Sequence, residues 1–97
     1  MVRVFIVLET YYKHAEATIE ILYELSSVEC YLTDQLRLWG DSFDPEETYE
    51  SEEDRVYDLI DYTIKAGNQR LKDQAGWGIL SVTEMTVDKV DSIFTFN

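Results

Sequence analysis

The sequence predicts an α+β fold: one small domain over residues 1–97, with about three strands and two long helices in the order β-α-α-β-β. Three observations predict it. The chain opens on a β-branched and aromatic run. Its middle carries apolar residues at helical spacing. Beyond Gly76-Trp77-Gly78 the pattern returns to alternation.

Residues 2–9, VRVFIVLE, form the first expected strand. Val2, Val4, Ile6 and Leu8 face one side and Phe5 and Val7 the other. A strand apolar on both faces is central in its sheet and covered on both sides. From about Lys13 to Trp39 the spacing of Ile21, Leu25, Val28, Leu32, Gln35 and Trp39 predicts one long or kinked helix, stopped by Gly40. Its weak point is Ser26-Ser27; a break there would leave Val28–Leu32 as a short strand. Asp44-Pro45-Glu46-Glu47 reads as a helix start, with Asp44 as N-cap and Pro at the first helical position. That helix places Val56, Tyr57, Ile60, Ile64 and Leu71 on one face. Gly67-Asn68 is a candidate break and Gly76 the latest end. Its first turns, through about Asp54, have no apolar anchor except Tyr49. ILSVTEMTV, a turn near 88–91 and SIFTFN then predict a hairpin.

The hydrophobic share of 45% is that of a folding chain, while a net charge of -12 is large for 97 residues. Such a charge opposes compaction and repels nucleic acid and anionic membranes. The single cysteine, Cys30, excludes an intramolecular disulfide and CxxC-type sites. VRVFIVL is too short to span a bilayer and lacks the features of a signal peptide. These features predict a soluble intracellular, cytoplasmic protein.

No catalytic motif stands out. His14 and Cys30 are the only histidine and cysteine, and they read as a helix-start residue and a small buried hydrophobe. GxSxG, P-loop and GxGxxG patterns are absent. An EF-hand register starting at Asp41 fails, because Phe43, Pro45 and Glu46 stand at its third, fifth and sixth positions. Eight scattered Lys and Arg residues make no basic footprint for nucleic acid. The expectation is a non-enzyme with no cofactor, no metal site, no membrane and no direct nucleic-acid ligand.

What the chain does carry is acid. Ten of its 20 acidic residues fall between Asp41 and Asp61, with Arg55 the lone base among them. Glu16, Glu20 and Glu24 form one column at i, i+4, i+8 on the outer face of the first expected helix, and Asp54, Asp58 and Asp61, with Glu50 one turn earlier, a second on the next. Each step is about 6 Å at 1.5 Å rise per residue. Like charges at this spacing cost a helix a few tenths of a kcal/mol per pair, and a helix shaped only for solubility alternates Glu with Lys. A basic partner is therefore expected to meet Glu16, Glu20, Glu24, Glu46, Glu47, Glu50, Glu53, Asp54, Asp58 and Asp61. Ser51, followed by Glu52-Glu53-Asp54, also fits an acid-directed phosphorylation site.

In length, charge and these two columns the chain resembles the small acidic phage proteins that mimic DNA and block host nucleases, restriction or repair enzymes. That class includes the anti-restriction protein Arn, uracil-glycosylase inhibitors and several anti-CRISPR proteins. The resemblance is one of type, with no motif match. It implies an inhibitor, acting in a host cytoplasm, that occupies the DNA-binding groove of a basic DNA-binding protein and often works as a homodimer. The alternative is an acidic protein–protein interaction adaptor with no mimic role, engaged through Trp39 or Trp77.

Overall fold

The structure is a computed structural model that describes residues 2–14, 16–45 and 48–87. Five elements follow in the order β1 (Val2–Tyr11), β2 (Thr18–Leu22), α1 (Leu25–Leu38), α2 (Glu52–Lys72) and β3 (Trp77–Val87). The sheet is antiparallel with strand order β2-β1-β3, so β1 is central, as its two apolar faces require. The expected α+β class, three-stranded sheet and two helices are all present. The third strand, however, comes from Thr18–Leu22, and the described residues run β-β-α-α-β. The strand expected over 92–97 lies outside the described residues.

The helix expected from Lys13 is thus corrected at its start. Thr18-Ile19-Glu20-Ile21 is β-branched and alternating. It pairs with β1 so that Ile19 stands opposite Leu8 and Ile21 opposite Ile6. Ile21 also fits the helical spacing of the residues after it. A short segment that fits both periods is decided by its partner, and the free edge of β1 supplies one. α1 begins only after Glu24, whose backbone is extended. It buries Val28, Leu32 and Leu36, so Val28–Leu32 is helix rather than strand. Gly40, at φ +74°, ends it: its N–H donates to Arg37 O at 3.0 Å, and Asp41 N–H donates to Leu36 O at 2.8 Å. This is a Schellman stop.

α2 starts later than Asp44 predicts. Ser51 is the N-cap, its Oγ accepting from Asp54 N–H at 3.2 Å. Residues 41–45 are irregular, and Glu46 and Glu47 lie outside the described residues. The physical reason is burial. The first buried residue of the helix is Val56, so turns built upstream would have no core to lie on, and short unsupported helix is marginal. The cap nearest the apolar stripe is the one used. That stripe is Val56, Leu59, Ile60, Thr63 and Gly67. Ile64 packs at its edge, while Tyr57 turns outward.

Gly67 does not break α2. It sits where the helix touches β3, and a Cβ there would stand 2.5 Å from Ile79 N. Across the contact, a Cβ on Gly78 would stand 2.3 Å from Gly67 O. The two glycines let helix backbone lie on strand backbone. Around them Phe5, Val7 and Ile79 from the sheet join Val28, Leu32 and Leu36 of α1 and Val56, Leu59 and Ile60 of α2 in one core.

Both helices therefore cover the Phe5/Val7 face. The other face holds Val2, Val4, Ile6 and Leu8 of β1, Ile19 and Ile21 of β2, and Thr83, Met85 and Val87 of β3. No described helix or strand lies on it. Leu80 is the extra residue of a bulge in β3, where pairing shifts between Leu8 and Glu9.

The glycine contact makes a testable exception. Gly→Ala in a helix interior normally stabilises by about 1 kcal/mol. At Gly67 the clash with Ile79 backbone reverses the sign, and overpacking of this kind costs about 1–3 kcal/mol. Gly67→Ala is expected to lower Tm by several degrees in thermal unfolding followed by circular dichroism, whereas Ala in place of exposed Asn68 leaves it nearly unchanged.

Candidate interaction surface

The exposed face of α2 carries Asp54, Asp58 and Asp61 in one row, at i, i+4 and i+7. Each step rises about 5–6 Å along the helix. Glu50 lies in the loop just ahead of the helix, and Glu52 opens its first turn. The row ends at Lys65, one turn beyond Asp61.

The loop after α1 adds acids that the sequence reading did not assign to the surface. Tyr62 OH donates to Asp41 Oδ1 at 2.8 Å, and the Tyr62 and Phe43 rings stand 5.4 Å apart. Tyr62 thereby draws Asp41, and with it Asp44, against α2. The hydrogen bond to Asp41 pushes the Tyr62 phenol above its ordinary value, and the charges of Asp41 and Asp44 add to the shift. The available signal was Phe43, an aromatic anchor inside an acidic run. Beneath this loop an open cleft of ≈ 350 Å³ runs between α1 and α2, lined by Thr33, Leu36, Arg37, Arg55 and Leu59 among others.

The arginines are engaged elsewhere. Arg3 bridges Glu53 of α2 and Glu84 of β3 and donates to Tyr57 OH at 2.8 Å. Hydrogen bonds from Arg3 and then Tyr57 hold the Glu84 carboxyl below the usual range. Arg55 pairs with Glu29 at 2.7 Å, which likewise lowers Glu29. Arg37 pairs with Asp34 at 3.1 Å. Arg70 donates to the carbonyls of Trp77 and Ala75 at the C-terminal end of α2 and stacks 5.0 Å from the Trp39 ring. Among the described residues no ion pair includes Asp54, Asp58 or Asp61.

The structure divides the residues expected to meet a partner. Asp54, Asp58 and Asp61 form the row, with Glu50 beside its start. Glu53 is half-buried and committed to Arg3. The column Glu16/Glu20/Glu24 does not exist. Glu16 lies in the β1–β2 connection, Glu20 is on a strand, and Glu24 precedes α1. Four residues of strand span about 13 Å, twice the helical step. Glu46 and Glu47 lie outside the described residues.

His14 and Cys30 are also corrected. His14 stands in the hairpin connection, its ring 5.2 Å from Tyr11 and 5.7 Å from Trp77. Cys30 is exposed on α1. Trp39 packs against the core, while Trp77 is exposed beside Tyr11 and His14. Among the described residues no group of three or more His, Cys, Asp or Glu is placed to hold a metal ion, and no helix is long and apolar enough to cross a membrane.

Comparison with protein-family models, curated proteins and solved structures gives no match for this chain, so its chemistry is read from these residues alone.

One carboxylate behaves differently from the surface acids. Burial pushes Glu9 above its ordinary value, and the hydrogen bond it accepts from Tyr31 OH opposes that shift. The ionised form of Glu9 therefore works against folding. Its contribution improves as pH falls from above its folded pKa toward the ordinary carboxylate value. Glu29 and Glu84, both held low, give stability that is present above that value and lost below it. In carboxyl-carbon NMR titrations, Glu9 is expected to titrate above an exposed glutamate, and higher still in Tyr31→Phe.

Proposed function

We propose that the chain is a non-enzymatic acidic binding protein that mimics DNA and occupies the DNA-binding groove of a nuclease, restriction enzyme or other defence or DNA-processing protein. The observation that carries this reading is the exposed row Asp54, Asp58, Asp61, with no described cation paired to it. Asp41 and Asp44 flank it through Tyr62.

The helix dipole accounts for part of the charge. Acids fill the N-terminal half of α2 and bases its end, Arg70 and Lys72 in the last turn. That effect fades within the first turn. It covers Glu52, Glu53 and Asp54 but not Asp58 or Asp61, and of those two Asp61 has Lys65 one turn beyond it at the favourable i,i+4 spacing. Their like-charge spacing costs a few tenths of a kcal/mol, which is offset by solubility or by a partner. The row is sparser than DNA, whose strands carry a phosphate about every 3.4 Å. What a basic groove would meet is therefore an anionic field with a helical rise, not an atomic copy of the backbone.

The alternative is an acidic adaptor for a basic protein without a nucleic-acid role. The exposed ring group of Tyr11, His14 and Trp77 favours it, since aromatic anchors carry interface energy while carboxylates steer approach.

Gel-shift competition against a set of nucleases, restriction and repair enzymes separates the two. A mimic displaces DNA from its target, and its binding weakens steeply as salt rises. Combined Asp54→Asn, Asp58→Asn and Asp61→Asn is expected to abolish displacement while far-UV circular dichroism stays unchanged and Tm moves little, because relieved repulsion along α2 and the lost first-turn charge of Asp54 are of similar size and opposite sign. A target that holds DNA and this protein together, without mutual effect, excludes mimicry. Binding that survives the triple variant but fails in Trp77→Ala supports the adaptor.

A further inference from the structure

We propose that the outer edge of β2 is a strand-docking site for an extended, basic segment of a partner protein, which joins the sheet as a fourth strand. Among the described residues β1 is paired along both edges, while β2 is paired only with β1. The N–H and C=O groups on the far side of β2 therefore have no ladder partner among the described residues. Thr18, Ile19 and Glu20 are exposed, Ile19 by 61%. Sheets commonly guard such an edge with Pro, Lys or a bulge. β2 contains neither Pro nor Lys, and it pairs with β1 without a register shift. Three of its five residues, Thr18, Ile19 and Ile21, are β-branched and suit further pairing.

Charge selects the occupant. Glu20 stands at the centre of β2, Glu16 just before its start and Glu24 just beyond its end, and all three are exposed. At the rise of a strand, four residues span about 13 Å. None of the three is in an ion pair among the described residues. Two copies of β2 joined edge to edge about a two-fold axis set Glu20 against Glu20 and Glu16 against Glu24. Like charges directly opposite destabilise a strand pair, so this arrangement disfavours a second copy. A partner strand with Lys or Arg at every fourth position turns each of those repulsions into an attraction. Its residues opposite Ile19 and Ile21 are apolar and β-branched, because cross-strand neighbours share a face. Main-chain hydrogen bonds then supply affinity, and the alternate side chains supply specificity. The edge is remote from the acidic row, since α2 packs on β3 and β1 lies between β3 and β2. This inference does not depend on what α2 binds.

The probe is the synthetic peptide Lys-Thr-Thr-Val-Lys-Val-Thr-Thr-Lys. In antiparallel register its central Lys meets Glu20, its Val residues meet Ile21 and Ile19, and its end Lys residues meet Glu24 and Glu16. Added to the isotope-labelled full chain, it is expected to shift the amide resonances of Thr18–Leu22 and to slow their hydrogen exchange. A chain of net charge -12 attracts any basic peptide, so a second peptide with Pro in place of both Val separates pairing from attraction. It keeps the charge, loses ladder donors and is expected to bind about tenfold more weakly or worse. A third peptide, with Glu at the centre, is expected to bind the wild-type chain poorly and the Glu20→Lys variant well. Should Glu20→Lys fail to fold, Glu20→Gln is expected to erase the preference for Lys over Thr at the peptide's centre. Equal binding of the Pro peptide overturns the proposal. So do shifts confined to α2, a preference that survives Glu20→Gln, or no change at Thr18–Leu22 with near-millimolar peptide in low salt.

Discussion

Phe5 and Val7, fully buried on the central strand, are the point at which the layers of this molecule meet. On one side of them β2 and β3 pair along both edges of β1, and above them α1 and α2 close the core. Neither helix buries its stripe without this strand, since both stripes close on Phe5 and Val7. The Gly67–Gly78 contact sets how near α2 comes to the sheet. Helix backbone touching strand backbone leaves no slack for a side chain, so the position of α2, and of the acids on its far side, is held by the core.

That geometry sorts the charges into two groups. At the edge between sheet and helices carboxylates are answered: Glu53 and Glu84 by Arg3, Glu29 by Arg55, and Glu9 by the Tyr31 hydroxyl. On the outer face of α2, Asp54, Asp58 and Asp61 are in no ion pair among the described residues. Arg3, Arg55 and Arg70, with their rigid forks of donors, are spent on joining elements rather than on the acidic row. The acidity of the α2 face is therefore partly a result of where the fold uses its cations. It follows that the total charge of -12 is a poor guide to function, and the position of the unanswered fraction a better one.

Much of the fold was legible. A strand apolar on both faces announced a central place in the sheet, and the spacing of Val28, Leu32, Val56 and Ile60 announced two helices on a shared core. The row on α2 was legible too, because i, i+4 spacing has a fixed meaning once a helix is assured. The Glu16/Glu20/Glu24 column was misread because Ile21 fits a helical stripe and a strand alternation equally well. One misassigned segment converted three separated carboxylates into a false surface. The cap at Ser51 was hidden behind Asp44-Pro45, a stronger local signal with no apolar residues behind it to bury.

By itself the sequence determined the class of fold, the identity of the central strand and the carboxylate spacing on α2, since each depends on local periodicity and composition. Tertiary structure decided the rest. It chose strand for Thr18–Leu22, because the open edge of β1 offered hydrogen bonds that an isolated helix turn could not match. It chose close contact rather than a helix break at Gly67, because β3 lies against it. It carried Asp41 to α2 through Tyr62, a contact between residues 21 positions apart that no periodicity encodes. And it placed the charged residues of the sheet on the helix side and the aliphatic ones on the other, which depends on strand register and on which side the helices pack.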